Sequence, residues 1–167
     1  MSIVYLSAVF LTLALAGCSA PNSRVVTALN TDAALSGSIP RNPLGWRAIT
    51  YGVDARNSTM FTLFGNDTAI RDSRTGRNYS EGSAHALVTW RQQEDSRWFG
   101  AKIPAEVNSV EFIDVITADD GRRANLYRGY QGSQLKETTG AKDQASRRVA
   151  FLLFAAGRRD ALKLEIE

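Results

Sequence analysis

One histidine, His85, and one cysteine, Cys18, set the limits of the chemistry open to this chain of 167 residues. A lone imidazole excludes multi-histidine metal sites and most acid–base relays, and a lone thiol excludes an internal disulfide and Cys-rich zinc or iron–sulfur centres. His85 falls in the run Ser83–Trp90, where alternation puts it on one face with Ser83, Leu87 and Thr89. There it serves either as a ligand to a haem iron or metal through one ring nitrogen, or as a half-buried residue hydrogen-bonded to its neighbours. Asp67, beside a tight turn, and Glu111, inside an apolar strand, are the carboxylates expected to be partly buried. Either would carry protons if its pKa were raised; the plainer role is to cap a helix or pair with an arginine. Trp46, Trp90 and Trp98 line a ligand cavity or pack into the core. The candidate ligand-binding set is therefore His85, Trp90, Trp98, Asp67 and Glu111, with no catalytic residue and no metal site assigned.

The pairs Arg147-Arg148 and Arg158-Arg159 would project on one side of a persistent helix and meet lipid phosphates, or simply form solvated polar flanks. No Walker loop, dinucleotide-binding glycine fingerprint, His-Glu-x-x-His or Gly-x-Ser-x-Gly is present. A net charge of +3 is too small to point to nucleic acid as a partner.

Cys18 has a more specific context. Met1–Gly17 carries no charged side chain, and Ile3–Ala16 is a mainly apolar run. It is shorter than the ~20 residues a spanning helix requires, and it fits the apolar core of an export signal. Leu15-Ala16-Gly17-Cys18 then resembles the lipobox of bacterial lipoproteins, which implies a signal peptide over 1–17 and a diacylglyceryl group on Cys18. The absence of Lys or Arg before the apolar run departs from the usual signal. Ser19 is not the aspartate associated in that family with inner-membrane retention, so the resemblance implies an outer-membrane lipoprotein facing the periplasm. Its partner would be the membrane, held through lipid at Cys18. Asn57, Asn66 and Asn78 open Asn-x-Ser/Thr triplets that read as turn and cap residues.

The elements that must position these groups follow from pattern. Residues 18–40, rich in Ser, Asn, Thr, Ala and Gly, read as a flexible tether, and a single domain is expected over 41–167. Residues 46–51 and 59–64 predict a hairpin closed by the turn residues 54–58. Asn66 or Asp67 caps a short helix over 68–74, with an Asp67–Arg71 pair on one face. Further strands are expected over 83–92 and 107–118, with 98–104 extended up to Pro104. Asp119-Asp120-Gly121 turns the chain into a returning strand over 123–130. The apolar run 149–156 is a buried strand or helix by period; start and stop signals at Asp143 and Gly157 favour helix.

The stretch Phe61–Arg71 with its Gly65-Asn66-Asp67-x-Ala69-Ile70, then Arg74-Thr75-Gly76, Tyr79-Ser80-Glu81-Gly82, Leu87–Trp90 and Val110-Glu111-Phe112, resembles cytochrome P-460 over about residues 46–115. The resemblance implies an α+β fold, an antiparallel β-sheet with flanking helices. In haem-bearing members it implies hydroxylamine oxidation, and in relatives nitric oxide binding. Haem-bearing members attach the group through a Cys-x-x-Cys-His and cross-link it to a lysine on the strand before the tryptophan. This chain has no such motif, and Ser83–Trp90 holds no lysine. The expectation is a haem-free, non-enzymatic binding or interaction module with no cofactor, whose small ligand or envelope partner is unidentified. The alternatives are a redox protein holding haem or a small molecule noncovalently, with His85 as the axial ligand, and a structural envelope lipoprotein.

Overall fold

The alternating runs at the middle of the sequence become the centre of a sheet. A computed structural model describes residues 29–75, 78–138, 147–149 and 151–152. Six strands succeed one another as an antiparallel meander: β1 (Arg47–Asp54), β2 (Thr59–Gly65), β3 (Ala84–Glu94), β4 (Lys102–Thr117), β5 (Arg123–Gln131) and β6 (Lys136–Thr138). One helix, α1 (Asp67–Thr75), interrupts the meander between β2 and β3. Residues 147–149 and 151–152 are helical, as expected for that part of 149–156; the remainder of the run, with Arg158 and Arg159, lies outside the described residues. So do residues 1–28, with the expected signal segment and Cys18.

Strand alternation sorts the side chains to two faces. One carries Phe64, Ala86, Val88, Trp90, Val110, Phe112 and Tyr130, all buried. The other carries Leu63, Leu87 and Ile113, covered by Leu152 with Val149, Phe151 and Tyr79. Both faces are thus apolar at the centre, which is why β3 and β4 read as nearly continuous hydrophobic runs.

The cover of the first face corrects the tether expectation for residues 29–40. Ala33, Leu35, Ile39 and Trp46 pack on the cluster, and the Trp90 indole Nε1–H donates to the Ala33 carbonyl at 2.9 Å. The Ser36 hydroxyl donates to the Ser133 carbonyl, and the Arg41 guanidinium pairs with Asp114. These residues form a strap across the sheet. Its polar composition is misleading because a few well-spaced apolar side chains anchor it, helped by the bond from the Trp90 indole to the Ala33 carbonyl.

The Gly65-Asn66 step owes its residue types to packing. A Cβ on Gly65 would lie 2.8 Å from Ile49 Cδ1 and 3.3 Å from the Ala69 Cβ, so a larger residue would displace the Ile49 side chain and push α1 back by a few tenths of an ångström. Ala69, fully buried, is the matching small residue on the helix. The Asn66 Oδ1 accepts from the Ala69 N–H at 2.9 Å as the helix cap, and from the Ala84 N–H at 3.1 Å. Its Nδ2 donates to the Gly82 carbonyl at 2.8 Å, tying the entry of β3 to the start of α1. Asn66→Ala is expected to lower stability by about 2 kcal/mol, and Asn66→Asp, which keeps both acceptor bonds, by about half of that. Urea denaturation of the three proteins checks the order; equal stability of the alanine variant and the parent would refute it.

β4 is longer than anticipated: it begins at Lys102 and continues through Pro104 instead of starting after it. Past Arg91 on β3 and Ser109 on β4, β2 and β5 no longer pair with them, so the two strands run on as a two-stranded arm. Proline is tolerated there because β4 is an edge strand over that stretch. β6 had no counterpart in the sequence pattern.

Candidate functional site

The face of the sheet beneath residues 147–149 and 151–152 holds two of the ionisable candidates, His85 and Glu111. β3 contributes His85, β4 contributes Glu111 and β5 contributes Tyr127; His85 stands opposite Ile113, and Glu111 opposite Leu87. His85 and Glu111 are therefore diagonal neighbours, with Cα atoms about 7–8 Å apart.

Both Glu111 oxygens are engaged. Oε2 accepts from Arg148 Nε at 2.7 Å and from the Tyr127 hydroxyl at 2.9 Å, while Oε1 accepts from Arg148 Nη2 at 2.8 Å. The Arg148 guanidinium also lies 5.3 Å from the Phe151 ring centroid. The Glu111 bonds, against the opposing effect of burial, raise the Arg148 pKa. Burial, then the Glu111 charge, pushes the Tyr127 phenol up to about 12. Tyr127 and Arg148 are therefore permanent donors near neutral pH, and Glu111 is a paired carboxylate that fastens the segment at 147–152 to the sheet. Such a two-toothed, charge-assisted contact positions elements well; it leaves no free oxygen for proton transfer.

His85 is 1% exposed. The Tyr79 ring stands on it edge-to-face with centroids 4.4 Å apart, and among the described residues neither imidazole nitrogen nor the Tyr79 hydroxyl has a hydrogen-bond partner. This corrects the expectation of a half-buried, hydrogen-bonded histidine. Burial pushes its pKa down to about 4, against the upward pull of Asp114 and Asp72, so the ring is neutral at pH 7. Tyr79 is raised to about 12, by burial and then by Asp72. Asp72 holds the loop before β3: its Oδ2 accepts from the Ser80 N–H (2.8 Å), the Ser80 hydroxyl (2.7 Å) and the Ser83 hydroxyl (2.6 Å). Burial opposes ionisation of Asp72, and these bonds outweigh it, so its pKa is lowered.

The remaining candidates lie elsewhere. Asp67 is not partly buried: its side chain is 91% exposed, 3.7 Å from Arg47. It does not cap α1, a role Asn66 takes, and the Arg71 guanidinium donates to Thr68 instead of pairing with Asp67. Trp90 is buried on the opposite face, and Trp98 stands in solvent at the end of the β3–β4 arm. Trp46, on the strap, packs on the same buried cluster as Trp90, so these two belong to the core and Trp98 does not. An open groove of about 630 Å³ lies at the base of the arm, lined by Ser58, Thr89, Arg91, Gln92 and Asn108 among others, and reaches neither His85 nor Glu111. Among the described residues no group of three or more His, Cys, Asp or Glu side chains is placed to hold a metal ion, and no helix is long and apolar enough to cross a membrane.

The residues fit a covalently held haem poorly. The chain has no Cys-x-x-Cys-His, and the sole imidazole is covered by Tyr79 on a tightly packed face. Sequence reading missed Tyr79, Tyr127 and Asp72. Alternation along β5 would have put Tyr127 on the Glu111 face once the register was known; nothing in the sequence signals the Tyr79–His85 contact. No protein-family model matches the chain, and no curated protein matches it either.

Proposed function

We propose that this chain is a periplasm-facing lipoprotein of the outer membrane, anchored at Cys18, whose cytochrome P-460-like domain works as a haem-free binding or interaction module. One observation carries the second half of this reading: the side chains best suited to chemistry are already committed to holding the fold. Glu111 clamps the segment at 147–152, Asp72 clamps the loop before β3, and Trp90 clamps the strap. His85 is enclosed beneath Tyr79. A noncovalent haem on His85 would require Tyr79 to leave its place. The Leu15-Ala16-Gly17-Cys18 pattern carries the first half.

Native mass spectrometry with an absorption spectrum, on protein isolated from its host membrane, tests both halves. The expected result is a chain beginning at Cys18 with acyl mass attached and no Soret band. A stoichiometric Soret band lost in His85→Ala would replace this reading with the redox alternative.

A further inference from the structure

The β3–β4 arm ends in two aromatic side chains that the domain does not use. Trp98 is 69% exposed and Phe99 is fully exposed, whereas Trp90 on the same hairpin is buried. The tip that carries them is well built. The Asp95 N–H donates to the Ala101 carbonyl at 3.0 Å, the Trp98 N–H to the Asp95 carbonyl at 3.2 Å, and the Ala101 N–H to the Trp98 carbonyl at 3.0 Å. The Asp95 carboxylate accepts from the Arg97 N–H and guanidinium, and Gly100 turns the chain at φ +76°. The backbone thus holds two large apolar rings out in water, at the end of an arm running past the neighbouring strands.

The described chain enters the domain on this same arm. The Asn30 side chain donates to the Pro104 carbonyl at 2.6 Å, and the Gln93 side chain to Asp32 at 3.3 Å. Cys18 precedes Asn30 by 12 residues, a length that reaches about 40 Å at most. From Pro104 to the tip the arm extends roughly 15 Å. An anchor at Cys18 and the tip at Trp98-Phe99 can therefore reach one bilayer surface together.

We propose that Trp98 and Phe99 insert into the headgroup–acyl boundary of the membrane that carries the chain, making the β3–β4 tip a second membrane contact that sets the orientation of the domain. The geometry rests on the lipid-anchor reading of Cys18. Aromatic rings favour this boundary zone; the acyl chains on Cys18 hold the chain at the membrane, and the tip contact fixes how the domain is turned towards it. The charges specify the kind of surface. Arg97 is paired with Asp95 and Lys102 with Glu94, so the tip presents apolar area with little net charge. Insertion is accordingly driven by the rings and depends weakly on salt and on anionic lipid.

The test uses the full chain reconstituted in phosphatidylcholine vesicles, with and without bromine on the acyl chains, and Trp98→Phe as the blank that subtracts Trp46 and Trp90. Quenching of the Trp98 emission by brominated lipid, little changed between low and high salt, is expected. Equal emission in both vesicles overturns the proposal, as it would if the tip met a second copy or another protein instead. The mass of the chain reports the anchor separately. If Cys18 is unmodified, the anchor reading fails, and the same quenching on vesicles added to that chain still decides the tip. In that form, Trp98→Ser with Phe99→Ser is expected to lower vesicle partitioning about tenfold or more; unchanged partitioning would overturn it.

Discussion

Phe112→Ala is expected to destabilise the protein by about 3–5 kcal/mol, the usual range for a large ring removed from a packed core. Phe112 is fully buried at the middle of β4, with Trp46 edge-on at 6.3 Å and Tyr130 edge-on at 5.9 Å. The Arg41 guanidinium lies 5.5 Å from its centroid and 5.3 Å from that of Trp46. The ring therefore joins the sheet to the strap, and its loss leaves both a cavity and a strap without its main apolar seat. With a total stability of about 5–15 kcal/mol for a domain, the variant should unfold in urea at a midpoint lower by about 2 M. Amide exchange across residues 29–46 should quicken more than exchange in β2. Phe112→Leu, which fills most of the space, should cost about 1–1.5 kcal/mol. A loss below 1.5 kcal/mol for the alanine variant would show that this face is not packed as described.

The strands were legible where alternation or turn chemistry was strong. Asp119-Asp120-Gly121 does reverse the chain between β4 and β5, with the Asp120 carboxylate accepting from the Arg122 N–H at 2.9 Å. The Asp54–Thr59 turn is likewise closed by the Asn57 side chain and N–H on Asp54. Three features escaped for a common reason: sequence pattern reports periodicity, and each of them is a contact between distant segments. The strap of 29–46 has no period because it is not a regular element. Glu111 does pair with an arginine, one of the roles its sequence setting offered, but its partners lie 16 and 37 residues away, so which residues they are follows only from register and from where residues 147–149 return. Asp67 and Asn66 are equally good cap residues by type, and geometry chose Asn66 because its amide also reaches Gly82, which a carboxylate could not do as a donor. The most specific piece of the resemblance, Gly65-Asn66-Asp67-x-Ala69-Ile70, thus has a packing explanation in this chain that is independent of any cofactor.

His85 gives the second large effect, and its sign follows from burial. The imidazole is pushed down to about 4 in the folded protein and titrates near 6.5 when unfolded. Between those two values the unfolded chain binds the extra proton, so stability is fully present above about pH 6.5 and is lost as pH falls towards 4. At about 1.4 kcal/mol per pH unit, the total is about 3 kcal/mol. Acidification also weakens contacts made by Asp72, Asp95 and Asp120, whose pKa values are lowered by their hydrogen bonds, so the wild-type curve alone would not isolate the histidine. His85→Leu does, since it keeps an apolar side chain of similar size beneath Tyr79 and leaves those carboxylates in place. It also removes two buried nitrogens without partners among the described residues, which should make it at least as stable as the parent at pH 7.5. Urea unfolding of both proteins from pH 7.5 to 4.5 should show the leucine variant gaining by about 2–3 kcal/mol relative to the parent. A constant difference would mean that the folded and unfolded imidazoles titrate alike. It would place His85 in contact with solvent or a polar partner and return it to the list of side chains able to meet a ligand.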